Sequence, residues 1–272
     1  MSVAARFRER YGPWAVVAGA SEGLGAAFAR YLAARGVHLL LVARRAEPLE
    51  TLALELRASD IQVRTVPLDL ARPDAAAELI AHADGLEVGL LVCNAALALI
   101  GPFLDQPLDG HLRELDVNCR TPLALAHGFG RRMVARGRGG IVLMSSLGAS
   151  QGSPRVAHYA ATKAWNLVLG EGLWYELRSS GVDVIACAAG ATDTPAYRAS
   201  APALRVSTQS ASEVVHETFD RLGRQPSVVP GVGNRLAGFV MRRLLPRRLA
   251  VRIMGRTLDR MYGGMAPKHA GG

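Results

Sequence analysis

Residues 18–36 read "AGASEGLGAAFARYLAARG". An apolar run, "WAVVAG" at 14–19, leads into this stretch, and an alanine-rich amphipathic segment over 24–35 carries it on. Gly19, Gly23 and Gly25 therefore fall in the turn between a predicted strand and a predicted helix, spaced G-x-x-x-G-x-G. Glycine suits such a turn because it accepts unusual φ/ψ and carries no Cβ to hold an anion away from the backbone. The helix that follows offers free N–H groups and the positive end of its dipole, which favours a phosphate.

The same alternation continues along the chain. "HLLLVA" (38–43), "IQVRTV" (61–66), "VGLLVC" (88–93), "GIVLMS" (140–145) and "VDVIACA" (182–188) read as strands. Helical patterns lie between them near 47–58, 73–82, 111–137 and 157–180, the last stopped by Gly181, and "SVVPG" (227–231) adds a late strand. Strands that are apolar throughout are buried on both faces. Their alternation with helices predicts an α/β fold: one doubly wound parallel sheet of the Rossmann type. No repeat or linker divides the chain, so residues 1–234 are read as the dinucleotide-binding and catalytic unit and 235–272 as a helical extension of the same domain.

Composition narrows the function. Half of the 272 residues are hydrophobic and a fifth are charged, which excludes a disordered chain. Of the net charge of +9, +8 comes from residue 235 onward: eight Arg and one Lys against one Asp. The remainder is nearly neutral, which argues against a nucleic-acid-binding core. The N-terminus has no apolar signal region, and the uncharged stretch Val88–Leu104 is too short for a membrane span and contains Asn94 and Pro102. Cys93, Cys119 and Cys187 have neither metal nor disulfide spacing, which fits a reducing cytoplasm. The seven histidines show no metal-type pairing, no metal is implied, and His158 is read as a surface or interface residue.

The second strand ends in "LVARRAEPLE". A dinucleotide fold selective for NAD usually has an acidic residue near this point to bind the ribose 2′-OH. Here stand Arg44 and Arg45, which suit the 2′-phosphate of NADP.

Of 32 basic residues 30 are arginine, yet "HYAATKAW" (158–165) holds Lys163, four residues after Tyr159. On a helix the two side chains share a face. A nearby ammonium lowers the pKa of a phenol toward working pH, and lysine's compact head can serve several hydroxyls where arginine's rigid fork cannot. Thirteen residues before Tyr159, Ser146 closes the predicted strand "IVLMSS", and Ser145 is read as the structural member of the pair.

With these residues in place the chain resembles the short-chain dehydrogenase/reductase family over roughly residues 12–231. The glycine turn, "CNAA" (93–96), "DVN" (116–118), "MSS" (144–146), "YAATK" (159–163) and "AGATDTP" (189–195) occur in the family's order and spacing. The resemblance implies that Ser146 binds the substrate oxygen, Tyr159 transfers the proton, Lys163 holds the ribose hydroxyls, and Asn118 holds a water in the proton path. It implies cofactor contacts at Gly19, Ser21, Gly23, Leu24, Gly25, Arg44, Arg45, Asp69, Leu70, Asn94, Ala95, Gly190, Thr192 and Thr194. Ala18, Ala96 and Ala189 depart from the family's usual threonine, glycine and proline, all in supporting positions.

The implied activity is hydride transfer between NADP(H) and a carbonyl or alcohol. Leu97, Leu99, Leu147, Tyr197, Ala201 and Leu204 are candidates for an apolar substrate pocket, which suggests a ketone, 3-oxoacyl or steroid-like substrate. A homodimer or homotetramer through the helices at 111–137 and 157–180 is what the family implies. The tail reads as two amphipathic helices broken at Pro246, with Arg248, Arg252, Arg256 and Arg260 in one stripe. Such a tail caps the cleft, makes a subunit contact or lies on an anionic membrane. The competing reading is a dinucleotide-binding sensor or scaffold that has lost catalysis.

Overall fold

Consecutive rather than alternating apolar residues mark the strands because helices cover both faces of the sheet. The computed structural model describes residues 2–200, 203–204 and 206–263. The chain opens with α1 (Val3–Tyr11), β1 (Trp14–Ala18), α2 (Gly23–Ala33), β2 (His38–Ala43), α3 (Ala46–Arg57) and β3 (Val63–Pro67). It continues through α4 (Ala75–His82), β4 (Val88–Cys93), α5 (Leu108–Leu115), α6 (Thr121–Arg136), β5 (Gly139–Ser146) and α7 (Ala157–Arg178). Then come β6 (Val182–Ala189), α8 (Pro195–Ala199), α9 (Ala211–Arg221), β7 (Ser227–Val228), α10 (Val232–Phe239) and α11 (Arg247–Tyr262).

The strands form one parallel sheet in the order β3-β2-β1-β4-β5-β6-β7. Successive side chains point to opposite faces. Val17, Leu39, Leu41, Leu90 and Val92 meet Phe28, Leu32, Leu49 and Phe219 on one side. Val16, Leu40, Leu91, Ile141 and Leu143 meet Leu79, Leu125, Phe129 and Met133 on the other. Each of these large side chains contributes roughly 1.5–3 kcal/mol by leaving water. The result is the doubly wound, Rossmann-type domain that the alternation predicts.

Strand order reverses between β1 and β4, so the segments that follow them diverge to opposite faces and open a crevice at their C-terminal ends. The Ala18 carbonyl joins the two edges by accepting from the N–H groups of Asn94 (3.0 Å) and Ala95 (2.7 Å).

Two features depart from the sequence reading. The helix expected over 111–137 is divided by a π-type turn, Asp116–Arg120, between α5 and α6. Pro122 in the first turn of α6 lacks the N–H that would continue the regular pattern. The helix α1, which the polar N-terminus does not announce, is tied to β6 from afar. The Tyr11 hydroxyl (2.7 Å) and Arg10 Nε (2.5 Å) both donate to the Asp183 carboxylate. Gly181 ends the turn after α7 with φ +75°, and the tail breaks at Pro246 as predicted.

Candidate active site

The glycine turn is packed so closely that side chains are excluded. A Cβ on Gly25 would lie 1.9 Å from the Gly19 carbonyl oxygen, and one on Gly19, at φ +87°, would lie 2.6 Å from the Ala95 backbone. Asn94 Nδ2 donates to the Gly19 carbonyl (2.7 Å), which braces the turn from β4. No side chain caps the start of α2, leaving its first N–H groups for a ligand. Here a cavity of about 300 Å³ is lined by Gly19, Ser21, Gly23, Leu24, Arg44, Arg45, Asp69, Leu70, Asn94, Ala95, Leu97 and Thr194, among others. This cradle fits a dinucleotide: glycines where a Cβ would intrude, an uncapped helix start and arginines at the end of β2.

The two arginines are not equivalent. Arg45 Nη2 is already paired with Glu22 Oε2 at 2.8 Å, whereas Arg44 forms no ion pair among the described residues. Asp69 is also engaged, accepting from Ala71 N (3.0 Å) and from Arg113 Nη2 (2.6 Å). Partial burial alone would raise its pKa, but the Ala71 N–H and Arg113 outweigh that and hold the carboxyl below its usual range. Leu97, expected on the substrate side, lines this cleft, its backbone gripped by the Asn118 amide. Gly190 and Thr192 are not among the lining groups. Thr192 donates to the Gly190 carbonyl (3.1 Å), and Gly190 packs against Asn234.

Ser146 ends β5, the neighbour of β4, while Tyr159 and Lys163 stand one turn apart on α7. The close approach of α7 to the sheet depends on Gly170, whose added Cβ would come within 2.9 Å of Ala186. Ser145 Oγ donates to the Lys163 carbonyl (2.7 Å), which makes it the structural serine of the pair. Lys163 is buried, its Nζ 5.7 Å from the centre of the Tyr159 ring and donating to the Met144 carbonyl at 3.0 Å. Burial lowers the Lys163 pKa to about 8. Burial likewise raises that of Tyr159 to about 12, opposed by Ser146 and assisted by Glu114 and Tyr262. Burial is thus the main obstacle to charging both groups, and an added proton acceptor beside Lys163 would ease it.

Asn118 is fully buried in the π-type turn. Its side chain joins Leu97 on both backbone groups (2.8 Å each) and donates to Thr162 Oγ1 (3.0 Å). Its carbonyl accepts from Asn166 Nδ2 (2.8 Å). The amide is therefore a brace for the 94–99 loop.

The short chain dehydrogenase family model matches residues 13–204. The chain belongs to the short-chain dehydrogenase/reductase family. As such it is an oxidoreductase. It is 34% identical over 235 residues to a 7beta-hydroxysteroid dehydrogenase of Collinsella aerofaciens, covering 84% of this chain and 89% of that one. A solved structure from work on 7beta-hydroxysteroid dehydrogenase stereoselectivity superposes with TM-score 0.86 at 32% identity, over 91% of this chain and 98% of that one. A short-chain dehydrogenase from Sphingobium yanoikuyae in complex with NADPH gives 0.76 at 32% identity, over 85% and 94%.

Beyond residues 13–204 the tail packs back on the preceding loops. Leu258, Met261 and Tyr262 of α11 pack with Tyr197, Ile100, Val156 and Val206. Arg155 Nε donates to Asp259 Oδ1 (2.8 Å), and Arg247 Nη1 donates to the Ser150 carbonyl (2.7 Å). Leu147 lies against α10, where a Cβ on Gly238 would stand 3.1 Å away. The Tyr197 hydroxyl is buried without a partner among the described residues. Leu99 is buried, Leu204 is 38% exposed, and Ala201 lies outside the described residues.

Sequence reasoning missed one cluster. His158, read as a surface or interface residue, is 22% exposed in its side chain, and its Nδ1 lies 2.7 Å from Glu114 Oε2. Glu114 is fully buried, and His111 stands across from it, so two histidines read as unpaired in sequence share one carboxylate. Spacing could have flagged His111 and Glu114, three apart on a helix; only the fold brings in α7. Arg113, the partner of Asp69, was missed for the same reason.

Proposed function

We propose that the protein is an NADP(H)-dependent oxidoreductase that interconverts a hydroxyl and a carbonyl on a lipophilic, steroid-like substrate. The observation that carries the reading is the buried Lys163 ammonium set beside the Tyr159 ring, with Ser146 at the adjacent strand end. When bound, the nicotinamide supplies the hydride in reduction and accepts it in oxidation. The glycine turn and the start of α2 hold the pyrophosphate, with Asn94 bracing the turn. Arg44 holds the 2′-phosphate, Asp69 and Leu70 border the adenine, and Thr194 closes over Gly23.

In reduction the Ser146 hydroxyl donates to the substrate oxygen and fixes its position. Tyr159 then passes its phenolic proton to that oxygen, and oxidation runs the same transfer backward. Lys163 donates to the ribose hydroxyls and stabilises the phenolate by its charge. The lid of α11 residues over Tyr197 excludes water and offers apolar surface to a bulky ring system. The name of the Collinsella relative supports a steroid over an acyl chain.

The exposed Leu112, Leu115, Leu123, Val134, Val168 and Tyr175 on α5, α6 and α7 support assembly as a homodimer or homotetramer, and the free, buried Cys93, Cys119 and Cys187 support a reducing cytoplasm. A contact with anionic membrane is a second reading, favoured by exposed Leu236, Phe239, Leu244 and Leu249 beside Arg242, Arg243 and Arg248. Co-sedimentation with anionic vesicles tests it, and no sedimentation at low salt overturns it. The main proposal is tested by NADPH consumption with a panel of ketosteroids and 3-oxoacyl thioesters. Turnover of ketosteroids that fails in Tyr159→Phe is expected. Inert ketosteroids with active thioesters would overturn the substrate assignment, and an inert panel would favour the sensor reading.

A further inference from the structure

We propose that His111, Glu114 and His158 form a binding site for a divalent transition-metal cation, zinc by its donor set, alongside the catalytic tyrosine. His111 and Glu114 lie on one face of α5, and His158 enters from the first turn of α7. Candidate ligand atoms of all three lie within 4.8 Å of one another, and no other such group occurs among the described residues.

The hydrogen bonds set the tautomers. His111 Nε2 is 3.2 Å from the Phe103 carbonyl, which can only accept, so Nε2 carries the proton and Nδ1 presents its lone pair. That Nδ1 is buried, has no hydrogen-bond partner, and sits 3.9 Å from Glu114 Oε2. Glu114 Oε1 is buried and completes no hydrogen bond among the described residues, with only the Leu99 N–H near the carboxylate. A metal-ligating histidine typically donates its other N–H to a backbone carbonyl, as His111 does here. An unpaired lone pair on His111 Nδ1 and a carboxylate oxygen that completes no hydrogen bond, beside a third donor, are what a bound cation satisfies.

The spacing suits a small ion. Donors about 2.0–2.2 Å from a tetrahedral zinc stand roughly 3.3–3.5 Å apart. The 2.7 Å and 3.9 Å separations across Glu114 Oε2 bracket that value, so small side-chain rotations reach it. Two imidazoles and one carboxylate favour zinc over the oxygen-seeking magnesium or calcium. The His158 side chain is 22% exposed, which leaves a way in for the ion and a fourth position for water. On binding, the proton that His158 Nδ1 shares with Glu114 is released to solvent as the nitrogen becomes a ligand.

The test uses untagged full-length protein stripped with a chelator. Cobalt(II) is titrated in while visible absorption is followed, and zinc is measured by competition with a chromophoric chelator. One equivalent per chain with a tetrahedral cobalt spectrum is expected. His111→Ala and Glu114→Gln, each checked for folding by circular dichroism, should weaken zinc at least tenfold. Wild-type protein that takes up no stoichiometric metal overturns the proposal without any variant. So does zinc affinity that is unchanged in folded His111→Ala, since the ion would then sit elsewhere.

Discussion

Replacing Arg44 by Ala should cost NADPH affinity while sparing NADH. Arg44 lines the cleft without an ion pair, so its charge is available to a 2′-phosphate. A charge-assisted contact of this kind is worth about 1.5–3 kcal/mol net, or roughly ten- to a hundredfold in Kd. Arg45 makes a poorer contact because it must leave Glu22, 2.8 Å away. That pair is 54% and 40% exposed, so by analogy with other surface pairs it is worth about 1 kcal/mol at most. Glu22→Gln should therefore release Arg45 and tighten NADPH up to about fivefold. The assay is a fluorescence titration with NADPH and NADH in parallel at fixed ionic strength, since these charges are screened by salt. The reasoning is refuted if Arg44→Ala weakens both dinucleotides equally, or if Glu22→Gln weakens NADPH.

Three further outcomes are expected. Because burial lowers the Lys163 pKa to about 8 from 10.5, the unfolded chain binds the extra proton between those values, so this lysine contributes stability that grows as pH rises from about 8 toward 10.5, against the opposite contribution of the buried Cys93, Cys119 and Cys187 thiols above about pH 9. The difference in Tm between the wild type and Lys163→Met should shift toward the wild type over that range; parallel curves would contradict it. Tyr197→Phe removes a buried hydroxyl that has no partner among the described residues, so stability should hold or rise by about 1 kcal/mol in urea unfolding, and a loss above that would mean the hydroxyl is bonded. Gly25→Ala drives a Cβ to 1.9 Å from the Gly19 carbonyl and should abolish dinucleotide binding by titration, whereas retained binding would show that the turn adapts.

Local pattern made the frame and the reacting groups readable. The glycine turn, the strand runs and the Tyr159–Lys163 spacing depend on neighbours within a turn or two, which periodicity records. Pairings across the fold leave no such trace. Nothing local pairs Glu22 with Arg45, and His158 reads as a surface or interface histidine until α5 brings up Glu114. The π-type turn at Asp116–Arg120 was hidden because a helix and a widened helix share nearly the same apolar rhythm. The helix α1 was hidden because its anchor, Asp183, is 172 positions from Tyr11.

The central claim is that this site moves a hydride to a lipophilic carbonyl with Tyr159 as the proton donor. Its most direct measurement is mass spectrometry of the alcohol formed from a ketosteroid and NADPH deuterated at nicotinamide C4 on the transferred face. The account predicts one deuterium on the carbinol carbon, with the rate lowered about 10²- to 10⁴-fold in Tyr159→Phe while NADPH still binds. Product without deuterium, or an undiminished rate in Tyr159→Phe, would contradict it.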